Sequence, residues 1–168
     1  MEIIVQSIKE ECVRRIEESV SKINACLATL SFEQVWYKPN AVSNCTGNLI
    51  LHLCGNLTQY ILCTFTGKPD LRQRSGEFTS TPYLSNEQLK SQLNTVISEV
   101  VSVILSLDKT RLERVYPVQC FTESGIGILI HVTEHLSYHT GQIVYITKML
   151  SSQSMDFYDD KKLETTGA

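Results

Sequence analysis

The chain has 168 residues, 15 of them basic and 18 acidic, for a formal charge of −3. At this length one domain is expected, and roughly 70% of the unfolded surface can be buried, so neither a metal nor a disulfide is needed merely to fold. The acidic pI, near 5.8, and the scattering of the basic residues exclude the basic footprint of a nucleic-acid binder.

The chain opens without a basic leader and apolar run, and no stretch reaches the ~18 uninterrupted apolar residues of a membrane span. Six cysteines, at 12, 26, 45, 54, 63 and 120, form no Cys-x-x-Cys pair. They read as reduced, mostly buried thiols. The expectation is a cytoplasmic protein with neither nucleic acid nor membrane among its partners.

Residues 5–30 predict the first helix. Val5, Ile8, Cys12, Ile16, Val20, Ile23 and Leu27 alternate threes and fours, as one buried stripe requires. Lys9, Arg14, Arg15 and Lys22 interleave with glutamates as on a solvated face. Ser31 and Gln34 have capping-box spacing, and Trp36, Tyr37 and Pro39 follow in an aromatic connection, with Trp36 expected as a lid on one end of the core. Ser43 or Asn44 should cap a second helix running to about Thr64. It carries a wide apolar face and a polar stripe of Asn48, His52, Asn56 and Gln59. Gly67 and Pro69 end it.

Residues 68–84 form a polar connection with no convincing secondary structure. It is too long for an antiparallel hairpin, so it can return the chain parallel to the helix before it. Ser85 and Gln88 make a second capping box. The third helix follows to about Leu107, with Leu89, Leu93, Val96, Val100, Ile104 and Leu107 inward. In the next connection Val115–Val118 suits a short extended piece, which Pro117 keeps at an edge. The fourth helix runs from Ser124 to about Leu150. Its first half is apolar nearly all round, which predicts the most buried helix. Residues 151–168 are polar and predict a frayed tail after a single domain over 1–150. The fold class is all-α, a four-helix bundle with two long connections.

Three of the four histidines, His131, His135 and His139, recur at intervals of four in the last helix. Side chains at i and i+4 share a face about 5–6 Å apart, close enough to share one metal ion, whereas the outer pair lies two turns apart. Spacing therefore offers His131/His135 or His135/His139. His52, on a facing helix, would supply a third nitrogen. Three protein ligands with an open position is the catalytic zinc pattern, and imidazole also suits nickel, copper and iron. Cys54 lies two residues past His52, ~200° around the helix, and is expected in the core.

Helix 2, from Ser43 through Asn48 and His52, and helix 4, His131-Val-Thr-Glu-His135-Leu-Ser-Tyr-His139-Thr-Gly-Gln142, resemble the DinB/YfiT-like superfamily of small four-helix metal proteins. The connection Leu30-Ser-Phe-Glu-Gln-Val-Trp36 with Pro39 is similar as well, so the resemblance spans roughly residues 5–150. It implies an up-down-down-up bundle with His52, His135 and His139 as ligands and His131 outside the ligand set. Thr140 and Tyr138 stand where that family often has Arg and His.

Characterised relatives include thiol-dependent transferases and isomerases using bacillithiol, mycothiol or glutathione. The reading that follows is a metal-dependent thiol S-transferase with zinc or nickel, a low-molecular-weight thiol and an electrophile. Metal coordination would hold the thiol as thiolate. Asn48, Asn56 and Gln142 are candidates for the pocket wall. Glu134 reads as surface and Tyr138 as a buried structural residue. Arg72 and Arg74 suit either a cofactor carboxylate or a loop ion pair with Asp70 or Glu77. A metal-dependent hydrolase and a non-catalytic metal-binding or dimeric bundle are the alternatives. A homodimer is compatible with the resemblance.

Overall fold

The computed structural model describes residues 2–79 and 84–158. Helix α1 covers Glu2–Thr29 and buries Ile16, Ile23 and Cys26 completely. Lys9 does not lie on the solvated face with its charged neighbours. Its Nζ is buried and donates to the carbonyls of Leu105 (3.0 Å) and Leu107 (2.9 Å). A cation there satisfies acceptors that the end of a helix leaves open. Ser31 caps a short turn, Phe32–Val35, through the expected capping box. Trp36 then lies over the start of the next helix. A Cβ at Gly47 would stand 2.8 Å from its ring, and its Nε1 donates to the Leu84 carbonyl at 3.1 Å.

Helix α2 runs over Thr46–Thr66. It is α-helical over Thr46–Leu57, π-helical over Thr58–Cys63 and α-helical again to Thr66. Its N-cap is neither Ser43 nor Asn44 but Cys45, whose Sγ accepts from the Asn48 N–H at 3.4 Å. Thiols seldom cap helices, so the hydroxyl and amide before it were the stronger sequence signals. Length and composition would let α2 cross a membrane, but 67% of its most apolar window is buried inside the bundle. Every residue of Thr46–Leu57 except Gly55 is buried. The most buried helix is thus α2 and not the fourth.

Helix α3 covers Asn86–Ser106 behind a second capping box at Ser85 and Gln88. Ile97 rather than Val96 fills its middle turn, with Val96 only partly buried. After a short turn at Lys109–Glu113, strands β1 (Val115–Val118) and β2 (Phe121–Ser124) pair antiparallel, Val118 opposite Phe121. Gln119, at φ 53°, turns the chain between them. Helix α4, Gly125–Ser151, starts on the Ser124 cap. Its outer face is open, with Ile130, Tyr138 and Tyr145 more than half exposed.

Helix α1 packs against α3 and α4, and α2 packs against the same two from the opposite corner. Asn86, at the start of α3, donates to the carbonyls of Leu27 and Leu30 at the end of α1, so these two are antiparallel. Gln34, just past α1, donates to Leu150 at the end of α4, so those two are parallel. Along α2, His52 and Asn56 meet His135 and His131 in reverse order, so α2 opposes α4. The order is up-down-down-up. Only the segment between α2 and α3 must travel the length of the bundle, and it does so across α2, carrying Arg72 and Glu77 with it. It contains a helical turn, Gly76–Thr79, where no secondary structure was expected.

Past Ser151 the chain stays seated as far as Tyr158. Met155 and Phe157 pack on the core, and Lys22 donates to the Tyr158 hydroxyl at 2.6 Å. The rest of the expected frayed tail, 159–168, lies outside the described residues.

Candidate metal centre

Antiparallel packing of α2 on α4 brings His52, His135 and His139 together. Each offers a ring nitrogen, and the three nitrogens lie within 4.8 Å of one another. His52 Nε2 is 3.2 Å from His135 Nε2. The His52 ring meets those of His135 and His139 edge-on, with centroids 5.0 and 5.1 Å apart. His131, one turn earlier, lies outside this group. It stacks on Tyr60 at 4.2 Å and stands 3.4 Å from the Asn56 amide.

The orientation of each ring follows from what holds its other nitrogen. His52 Nδ1 is 2.8 Å from Glu77 Oε2. Arg72 Nη2 also lies 3.2 Å from this nitrogen, but the shorter contact is to a carboxylate, which only accepts, so Nδ1 carries the hydrogen and the Nε2 lone pair points inward. Glu77 is fixed in turn by Arg72, whose Nε donates at 2.7 Å and Nη2 at 2.9 Å. Arg72 also donates to Gln59 at 2.8 Å, and its side chain is only 5% exposed. Burial pushes the Glu77 carboxyl up, but the hydrogen bonds and charges of His52 and Arg72 outweigh it and hold the group below its ordinary range. Gly55, one turn past His52, makes room for this pair, since a Cβ there would run into the Glu77 carboxylate and stand 2.9 Å from Arg72 Nε. The Phe78 ring covers His52 at 4.9 Å.

His139 Nδ1 donates to Gln142 Oε1 at 2.7 Å, which leaves its Nε2 free. His135 has no such partner among the described residues, and its Nδ1 is buried without a hydrogen bond. Burial, together with the neighbouring histidines and Arg72, lowers its pKa to about 3. Burial likewise lowers that of His139. These rings are therefore neutral bases at neutral pH. In the metal-free protein a hydrogen on His135 Nε2 can bridge the 3.2 Å to His52 Nε2, and a cation that displaces this hydrogen would take both lone pairs. Zinc–nitrogen bonds of about 2.0–2.1 Å place two ligands of one tetrahedral ion about 3.3 Å apart, so the donor set fits a divalent metal.

The remaining sequence candidates are placed as follows. Asn48 is fully buried and donates to the Glu77 carbonyl at 2.8 Å, tying the return segment to α2. Asn56 is buried against His131, its Oδ1 without a partner among the described residues. Gln142 sits on His139. Cys54 is in the core, its thiol pushed up to about 12 by burial. Glu134 is exposed. Tyr138 is not the buried residue expected, being 63% exposed beside His139. Arg72 takes the loop ion pair with Glu77. The sequence reading missed Glu77 as the partner of His52. Its only signal was an acidic residue near Arg72 in a segment that had to pass over α2.

Several solved structures share this architecture, two of which are the following. A conserved protein from Enterococcus faecalis aligns with a TM-score of 0.71 at 13% identity, covering 86% of this chain and 97% of its own. The DinB-like protein YjoA from Bacillus subtilis aligns with a TM-score of 0.64 at 18% identity, covering 86% and 94%. At such identities the shared property is the fold. No curated protein matches the chain. The chain is thus a helical bundle of the same fold as the DinB-like YjoA, with a three-histidine group that could hold a metal. The family model described as "Protein of unknown function (DUF1572)" matches residues 4–158, and the chain belongs to that family.

Proposed function

We propose that this chain is a metal-dependent thiol S-transferase whose metal is held by His52, His135 and His139. The observation that carries the reading is the convergence of three imidazoles, two of them turned inward by a hydrogen bond on the opposite nitrogen. Three protein ligands leave a position open, as in catalytic rather than closed structural sites, and an all-imidazole set suits zinc or nickel. When bound, such an ion lowers the pKa of a thiol and supplies it as the thiolate nucleophile.

The chain's own residues do the rest. Glu77, braced by Arg72, fixes the His52 tautomer, and Gln142 fixes that of His139. Asn56, a candidate for the pocket wall, stands one turn from His52 and packs against His131. In the transfer, a bond forms between sulfur and the electrophilic carbon as the bond from that carbon to its leaving group breaks. The leaving group departs with the electron pair, and the thiol proton passes to solvent.

Cobalt-substituted protein tests this reading. Adding a low-molecular-weight thiol should change the cobalt spectrum, and product should form from an electrophile only when thiol and metal are both present. An unchanged spectrum, or equal turnover without thiol, would overturn it. The second of these outcomes would favour the hydrolase.

A further inference from the structure

A cavity of about 670 Å³ opens beside His139, between α4 and the segment leading into α2. Val42, Leu49, Tyr138, Tyr145, Ile146 and Met149 form most of its wall, and among the described residues no charged side chain lines it. Three other cavities of about 470–580 Å³ each carry charged groups: Asp70 with Arg72, Glu11 with Arg15, and Lys9 with Asp108. Small-molecule sites run to about 300–1,000 Å³, mostly apolar with a few placed polar groups. Here the placed group is Gln142, whose Oε1 is used by His139 and whose Nε2 hydrogens are left for a ligand. Gln142 therefore belongs both to the cavity wall and to the metal centre.

A second observation concerns Gly141. Glycine is among the poorest helix formers, yet this one lies in the middle of α4. Among the described residues nothing in the packing requires it, since a Cβ there would meet no atom of theirs within 4 Å. The space that it leaves unfilled is cavity space.

We infer that this cavity receives an uncharged, largely aromatic or aliphatic electrophile, with Gln142 donating to its polar atom. As the substrate of a thiol transfer, this assignment rests on the function proposed above; as a binding site, it stands on the cavity alone. The absence of charge selects against ionised substrates, because a charge seated there would lose water without gaining a partner. Tyr138 and Tyr145 offer ring faces that suit aromatic stacking.

Two probes that differ by one charge test it: N-phenyl-1-naphthylamine and its 8-sulfonate, followed by fluorescence with the full chain. The uncharged probe should bind at least tenfold more tightly. Gly141→Phe, which fills the cavity, should weaken it at least tenfold while helicity and metal content are kept. If that variant fails to fold, Tyr145→Asp, at a position 71% exposed, places a charge on the wall and should have the same effect. Equal affinity for the two probes, or binding unchanged in both variants, would overturn the inference. So would probe binding that falls as protein concentration rises in step with dimer formation, which would give this face to a second copy. Wild-type protein that holds no metal but binds the probe at this wall would sink the transferase and leave the cavity assignment standing. Protein that holds metal but shows no charge selection would do the reverse.

Discussion

Replacing Glu77 by Gln separates two jobs that one carboxylate performs. The side chain accepts from Arg72 at 2.7 and 2.9 Å and from His52 at 2.8 Å, and is only 11% exposed. Gln keeps the volume and removes the charge. Loss of a carboxylate partner on a metal-binding histidine typically lowers metal affinity about 10–100-fold, or about 1.4–2.7 kcal/mol. Arg72 would at the same time be left as a buried cation without its anion, which costs about 3–5 kcal/mol of fold stability. The double variant Glu77→Gln with Arg72→Leu removes both charges. Because a buried pair exchanged for uncharged groups of similar volume is often close to neutral, its stability should return to within about 1–2 kcal/mol of wild type. Metal affinity should not return, since His52 still lacks its anionic acceptor. Competition with a chromophoric chelator reads the affinity, and urea denaturation of metal-free protein reads the stability. Wild-type affinity in Glu77→Gln, or affinity restored together with stability in the double variant, would refute the orienting role.

Other outcomes follow from the same geometry. Gly55→Ala should weaken metal binding in the manner of Glu77→Gln, measured by the same competition, because its Cβ displaces the Glu77–Arg72 pair. Lys9→Met should cost about 1.5–3 kcal/mol in denaturant unfolding, since the Leu105 and Leu107 carbonyls lose a charged donor. Ser85→Ala should cost about 1 kcal/mol by the same measurement through loss of the α3 cap. With a colorimetric thiol reagent, exposed Cys120 should react first in native protein. Cys12, Cys26, Cys45 and Cys54 should wait for unfolding. The pH dependence has a definite sign at Cys54, whose thiol is neutral below a pKa of about 12. Unfolding returns that pKa to the ordinary ~8.5, so between the two values deprotonation favours the unfolded chain, and stability from this group falls as pH rises through that window.

Much of the bundle was legible because helix signals are local. The stripe in α1 and the capping boxes at Ser31 and Ser85 each need only a few neighbouring residues, and all three appear where the sequence placed them. The hairpin was half legible. Its two-residue turn is Gln119-Cys120 rather than a glycine or asparagine pair, so nothing announced the partner strand Phe121–Ser124. Relative burial of helices was misread because it depends on which neighbours cover each face. Helix α2 is roofed by the return segment, while α4 keeps one side open. The choice between His131 and His139 was beyond periodicity, since both stand one turn from His135. It is decided by the axial offset of α2, which sets His52 against one and Asn56 against the other. Glu77 was out of reach for a related reason, because its meeting with His52 is a tertiary contact across 25 residues of chain.

The most direct test of the metal centre is elemental analysis of purified, tag-free protein beside His52→Ala, His135→Ala, His139→Ala and His131→Ala. Near-stoichiometric zinc or nickel in wild type and in His131→Ala, lost in the other three with helicity kept, is the predicted result. Wild-type protein that stays metal-free after refilling with either ion, or triad variants that keep their metal, would contradict it.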